Sequence, residues 1–458
     1  MPGVGRRGPA ESIVIGRVWR FPRFIAFLAA LAWIFALEER FRNDATEHLY
    51  YHAWTSEYMM QTVSVQDLRI EPFKSLWYNH IQPPVFDAIR ASIAAFYPSA
   101  NGDALMRRVD AGLYGVWMFV FAATAVLVFS WLRRLAGDRL AWFGFTIFLL
   151  LPGPVFYSTY LDTTLLSATL ILWFSYALWR LGRREADASE LALVSIVLVL
   201  TRSVFQWPFL VVLAASLFLM GVPRARALRA LAPIALVMAA FLAKQYILFG
   251  LTTTSSFGPD SFCKGLSEYC QGTTRVELPK MTDKYNAYVL RRAEKLNGEY
   301  NYNQEAFLKR SFSQMQEYQA LLRRLTFDRV IELLKINLDF YLRPTSRHSD
   351  HVIVDRLPWR FPFDFLLSGW RLMALLLVAG LLWVRRCVGL PAPERPRALM
   401  RGLGLALPAL YVATVTIIFE SGENMRYRFF LEPVLFVFIF ASLAGIGRAA
   451  PDSLEGAQ

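Results

Sequence analysis

Apolar positions along this chain do not alternate singly with polar ones. They gather into runs of about 15–23 residues, most of them long enough as helices to cross roughly 30 Å of hydrocarbon. Ten such runs stand out, near 21–38, 110–132, 140–157, 162–180, 190–204, 206–222, 229–249, 364–384, 402–419 and 429–447. The pattern predicts an all-α polytopic membrane protein with about ten transmembrane helices.

The polar gaps are asymmetric. If the N-terminus is cytoplasmic, one side receives Arg133/Arg134, Arg180/Arg183/Arg184, Arg224/Arg226/Arg229, Arg385/Arg386 and Arg395/Arg397/Arg401. Short loops rich in arginine belong on the cytoplasmic face, so both termini are expected there. Two long segments, 39–109 and 250–363, then lie outside. All five histidines, His48, His52, His80, His348 and His351, fall in them.

The outer segments divide further. Residues 44–60 read as an amphipathic interfacial helix with Leu49, Trp54, Tyr58 and Met59 toward lipid. The Pro83–Pro84 pair breaks the chain and suits the first turn of a second short helix, expected to lie along the membrane. After a loop at "GLTTTSSFGPDSF", residues 281–340 read as soluble helices, with Leu321, Leu322, Leu325, Val330, Leu333, Leu334 and Leu338 at helical spacing. The expected division is an N-terminal membrane module (1–249), an extracytoplasmic helical domain (250–363) and a C-terminal membrane module (364–458).

Composition agrees with a membrane protein: 458 residues, 55% hydrophobic and 15% aromatic, against roughly 45–50% apolar in soluble chains. The net charge of +13 follows the loop arginines and needs no nucleic acid. Residues 1–20 are arginine-rich, and the run after them lacks a small-residue cleavage pattern, so no cleavable signal peptide is expected. Of three cysteines, Cys387 falls in a cytoplasmic loop, while Cys263 and Cys270 share the outer segment, where an oxidising exterior permits a disulfide. No Walker motif, GxGxxG, CxxC pair or tandem repeat is present.

Folding up the spans brings ionisable groups to one rim. Asp44 and Glu47 follow the first span, Asp162 opens the fourth and Arg202 closes the fifth; Lys244 lies near the outer end of the seventh. "FESGENMRYRFFLEP" sets Glu420, Glu423, Arg426, Arg428 and Glu432 between the last two. Charges at membrane depth cost about 2.5–3.5 kcal/mol each. Three explanations are open: ordinary loop charge at the headgroups, an active site, or a transport path. An active site has its parts here, a carboxylate to take a proton from a hydroxyl and arginines whose planar forks meet phosphate oxygens. Arg202 can equally snorkel to headgroups. Transporters show repeated halves and matched broken spans, which this chain lacks by eye. His48/His52 and His348/Asp350/His351 have conceivable metal spacing, but a solvated or interfacial role is simpler.

Four stretches, "RNDATEHLYYHAW", "YNHIQPPVFDAIRASIAAFY", "FYSTYLDTTLLSATLILWFSYAL" and "ENMRYRFFLEPVLFVF", give an order that resembles the GT-C glycosyltransferases. The nearest branch holds protein O-mannosyltransferases, lipid A aminoarabinose transferases and relatives acting on lipopolysaccharide cores. The resemblance implies transfer of a sugar from a polyprenyl-phosphate donor, with inversion, onto a glycolipid, polysaccharide or protein at the periplasmic face of a bacterial inner membrane. It implies that Asp44 is the first-loop catalytic carboxylate, with Glu47 three positions on leaving open which is the base. Asp162 would position acceptor or sugar, while His80, Arg426 and Arg428 would contact phosphate. Neither cofactor nor metal is expected. The alternatives are an O-antigen ligase or polymerase type, working on diphosphate-linked glycans, and a transporter or lipid flippase.

Overall fold

The structure, a computed structural model, describes residues 9–41, 56–266, 270–272, 292–348 and 355–444. Among them the chain is all-helical, with one isolated bridge between Glu294 and Tyr300. Five helices are long and apolar enough to cross a membrane: α1 (Pro9–Phe41), α5 (Gly102–Ala136), α8 (Thr163–Gly182), α11 (Arg224–Phe249) and α17 (Arg395–Phe419). Two bent pairs bring the number to seven if each is one span. They are α6 (Asp138–Leu150) with α7 (Pro152–Thr159), bent by 57°, and α15 (Arg360–Leu366) with α16 (Gly369–Val388), bent by 66°. The first bend follows from Pro152 and Pro154, which cannot continue α6. The second sits at Gly369, whose φ of +54° suits only glycine.

Three apolar runs of the sequence form shorter helices: α9 (Ala188–Val199), α10 (Trp207–Leu219) and α19 (Glu432–Ala444). At 1.5 Å per residue each is about 18–20 Å long, short of the bilayer's hydrocarbon. The chain turns at Leu200–Gln206 and at Met220–Gly221, where Gly221 has φ +69°.

The core is built on α5 and α8. Trp117, Phe121, Phe129, Phe148, Phe156, Leu165 and Leu172 are buried there together, while α9, α10 and α11 close over the other side of α8. The peripheral spans keep large apolar side chains exposed: Phe24 and Phe35 on α1, Leu236 on α11, Leu377 and Leu381 on α16, Leu410 on α17. Exposed apolar surface on this scale, carried by several long helices, belongs in lipid. The chain is a multi-pass membrane protein. The basic loops meet at one end of the bundle: Arg134 pairs with Glu185, Arg133 with Asp138 at 2.5 Å and Arg180 with Glu190 at 2.9 Å.

The opposite end carries the short helices α2 (Val65–Ile70), α3 (Pro72–Trp77), α4 (Val85–Ala94), α12 (Gly258–Gly265), α13 (Glu305–Arg323), α14 (Phe327–Leu342) and α18 (Asn424–Phe429). Pro84 does start α4, but α4 is wedged inside, with Phe86, Asp87 and Arg90 fully buried. The interfacial helix expected over 44–60 does not hold for its described part. Residues 56–61 form turns because Ser56 and Glu57 are drawn inward by buried charges. The leucine series of 321–338 falls mostly on α13 and α14, and on α14 it divides between two faces. Leu333, Asn337 and Tyr341 bury one face of α14, while Phe327, Ile331, Leu334 and Leu338 line an exposed apolar flank. Cys263 and Cys270 are disulfide-bonded, and Cys387 is a buried free thiol.

Candidate functional site

Asp162 begins the site. It is the N-cap of α8, in extended backbone, and its Oδ1 accepts from the Thr164 amide at 2.8 Å while Oδ2 accepts from the Thr164 hydroxyl at 2.6 Å. A carboxylate there satisfies amides that have no helical partner. Arg426 on α18 donates Nη2 to Asp162 Oδ2, Nε to Thr164 Oγ1 at 3.0 Å and Nη1 to Glu423 at 2.9 Å. Burial works against the guanidinium charge, but Asp162 and Glu423 outweigh it and hold the Arg426 pKa well above its ordinary value. Burial likewise pushes Glu423 up, yet Arg426, His348 and Lys264 leave it below the usual carboxylate range. This is a charged cluster, not a set of neutralised side chains.

Arg202 lies beside it. It follows α9, keeps only 5% exposure, and stands over the rings of Phe430 at 5.2 Å and Tyr427 at 5.6 Å. Its Nε and Nη2 have no hydrogen-bond partner among the described residues. The side chain lines a cavity of about 100 Å³ with Gln61, Thr253, Ser255, Glu420 and Tyr427. Burial, with Glu423 adding, pushes Glu420 up to about 8. At neutral pH its carboxyl is therefore protonated, so no ionised carboxylate lines the cavity that Arg202 faces. A buried guanidinium with unused N–H bonds, beside hydroxyls and a carboxylic acid, suits an anionic group that carries hydroxyls.

Two of the residues expected at phosphate stand elsewhere. His80 is fully buried: its Nδ1 pairs with Ser256 Oγ at 2.9 Å and its amide donates to Asn303 at 3.2 Å. Burial, then Lys244, holds its pKa down at about 3, so it is a neutral imidazole enclosed by protein and offers no cation to a ligand. Arg428 sits two positions after Arg426, which turns it about 200° around the helix. It donates to the Leu367 carbonyl at 2.7 Å and lines a different, apolar cavity with Glu432. The two arginines therefore do not form one clamp. Of the expected site residues, the structure brings together Asp162, Arg426 and Arg202. Asp44 and Glu47 lie outside the described residues, as do His48, His52, Asp350 and His351.

Sequence reasoning missed a second buried cluster. Arg90, with no exposed surface, pairs with Glu57 at 2.7 Å and Asp87 at 2.9 Å, and donates to the Val63 carbonyl at 2.6 Å and Ser56 Oγ at 2.9 Å. Lys295 reaches in from the second long segment to the carbonyls of Glu57 (3.0 Å) and Met59 (2.6 Å) and to Thr62 (3.0 Å). This network fixes the start of the described part of the first long segment, including Gln61 at the cavity. Its only trace in the sequence is the Asp87–Arg90 spacing of three on an otherwise apolar helix. No protein-family model matches the chain, and no curated protein is significantly similar to it.

Proposed function

We propose that the chain is a membrane glycosyltransferase of the GT-C kind, moving a sugar from a polyprenyl-phosphate donor to an acceptor with inversion. One observation carries the reading. Arg202 is buried with two uncommitted guanidinium nitrogens in a hydroxyl-lined cavity beside the Asp162–Arg426 pair, at the end of the bundle opposite the basic loops. In this reading the bent pairs and the three shorter apolar helices also cross, giving ten spans. That end, with residues 250–363, then faces the periplasm of a bacterial inner membrane.

The chemistry asks little of the protein beyond placement and charge. The acceptor hydroxyl loses its proton to the carboxylate of Asp44 or Glu47 as its oxygen bonds to the anomeric carbon. The bond from that carbon to the phosphate oxygen breaks, and its electron pair leaves with polyprenyl phosphate. A positioned base contributes about 10²–10⁴-fold. Arg202 meets the charge growing on the departing phosphate in a site drier than water, where such stabilisation is strongest. Asp162, held by Arg426, presents a fixed carboxylate edge toward sugar or acceptor hydroxyls.

The test uses the full chain in nanodiscs with lipid extract from its host, following polyprenyl phosphate release from a panel of polyprenyl-phosphate sugars. Asp44→Asn or Glu47→Gln should abolish release while donor binding persists, and Arg202→Gln should weaken binding and turnover together. Release only from diphosphate-linked glycans would move the protein to the ligase or polymerase type. Lipid movement without bond cleavage would make it a transporter.

A further inference from the structure

On the far side of α18 from Arg426 lies a cavity of about 230 Å³, walled by α6, α15, α16 and α19. Both helix breaks open onto it, Leu151 between α6 and α7 and Leu367 between α15 and α16. Its shaft is apolar, with Leu435, Phe436, Ile439, Phe440 and Leu443 forming one face of α19. Its head is not. Arg428, only 2% exposed, uses one N–H on the Leu367 carbonyl, and its Nε has no partner among the described residues. Glu432 stands beside it, held by the Thr345 hydroxyl at 2.6 Å. It lies so close to α7 that a Cβ on Gly153 would come within 2.7 Å of its Oε1.

From this geometry we infer that the cavity is a lipid-binding site: a single aliphatic chain lies along α19 and an anionic or ester oxygen of its head accepts from Arg428. Three features support this beyond apolarity. From Glu432 to Leu443 the shaft measures about 16 Å, near half of the roughly 30 Å hydrocarbon thickness, the depth of one leaflet. The breaks leave backbone carbonyls that other spans would keep in hydrogen bonds, and the protein fills them itself: Trp359 Nε1 donates to Leu150 at 3.0 Å and Arg428 to Leu367 at 2.7 Å. The head therefore keeps a donor in reserve while its backbone is satisfied. Finally, a gap meant only for passing lipid would not need a guanidinium and a carboxyl at its head, each expensive to bury. The inference does not rest on the transferase reading, since either a transferase or a lipid transporter can hold such a lipid.

The one-leaflet length of the shaft fits an acyl chain of a membrane phospholipid, and the same experiment separates that occupant from a polyprenyl phosphate. The full protein in nanodiscs is photolabelled with phosphatidylglycerol bearing a diazirine at the end of one acyl chain, or with polyprenyl phosphate bearing it on the isoprenoid chain. Ile439→Trp fills the shaft, and excluding about two methylenes should cut labelling of α19 about tenfold. Arg428→Gln should weaken head capture, whereas Leu410→Trp on the exposed face of α17 should change nothing. Loss of labelling with the phospholipid probe supports the site; loss with the polyprenyl probe alone would make the cavity part of the donor's own site and overturn the inference. Labelling of α19 that is insensitive to both Ile439→Trp and Arg428→Gln, in variants that retain the wild-type melting midpoint, would overturn it. If Ile439→Trp does not fold, Leu435→Phe gives the same reading with a smaller loss.

Discussion

Glu420 sets the charge of the cavity that Arg202 lines. Its pKa of about 8 reflects burial first and Glu423 second, opposed by Lys264, Arg426 and a hydrogen bond from Tyr427. Below that pH the carboxyl is neutral, and above it an anion competes with any ligand for the guanidinium. Affinity for a soluble short-chain isoprenyl phosphate, measured calorimetrically, should fall as pH rises through about 8, and Glu420→Gln should remove that fall. Stability follows the same sign: the raised pKa contributes stability that is complete below the ordinary carboxylate range and lost as pH climbs through about 8. Glu420→Gln should thus melt higher than wild type at alkaline pH. Asp162 tests the pair next to it. Asp162→Ala removes the α8 cap and leaves Arg426 with Glu423 as its remaining anionic partner, and it should cost about 3 kcal/mol in unfolding free energy, whereas Asp162→Asn keeps an acceptor for the α8 cap and should cost less. The sequence marks both as rim charges, yet 264 positions separate them, and no local pattern tells that they pair. Arg90 is further from legibility, because hydrophobic periodicity treats a charged residue as surface while its partners Glu57 and Lys295 lie far along the chain.

At the scale of elements, α12 forms one wall of the Arg202 cavity through Gly258, Ser261 and Phe262, and it is pinned twice. Its last residue, Gly265, abuts α17, where a Cβ would meet the Ile418 carbonyl at 2.6 Å, and Asn337 of α14 donates to the Gly265 carbonyl at 3.0 Å. The Cys263–Cys270 disulfide closes the same turn, with Gln314 donating to the Cys270 carbonyl at 3.0 Å. Removing the disulfide by Cys263→Ser should lower stability by about 2–3 kcal/mol, as expected for so short a loop, and reductant should lower the melting midpoint of wild type but not of the variant. The pairing was readable because both thiols share an outer segment with few alternatives. The start of α4 was readable because proline leaves little choice. The ends of α9 and α10 were not, since the apolar runs 190–204 and 206–222 reach past the turn at 200–206, where Arg202 turns inward to stack on Tyr427 and Phe430. Tertiary contact, not hydropathy, stops those helices.

For the whole molecule, the decisive question is whether α9 and α10 cross the bilayer or fold back within it. Each is about 10 Å shorter than the hydrocarbon, so crossing requires help. The turns at 200–206 and 220–223 can supply it where they are buried in protein, because irregular backbone is tolerated at membrane depth only there, and thinning of the local bilayer costs only fractions of a kcal/mol per Å. The two cases place Arg202 differently. If both helices cross, Gln206 lies on the side opposite Asp187, at the level of the headgroups; if they form a re-entrant hairpin, both residues share one side. Single cysteines at Asp187, Gln206, Pro223 and Glu299, in a Cys387→Ser background, answer this with a membrane-impermeant maleimide on oriented vesicles, since the disulfide leaves Cys263 and Cys270 unreactive. Labelling of Asp187→Cys and Pro223→Cys from the basic side, with Gln206→Cys and Glu299→Cys from the other, is the expected outcome. It would put the unpaired guanidinium of Arg202 where a lipid-linked phosphate presents itself. Labelling of Gln206→Cys from the basic side would bury Arg202 on the wrong side of the donor, and the cavity it lines would lose its claim to the phosphate.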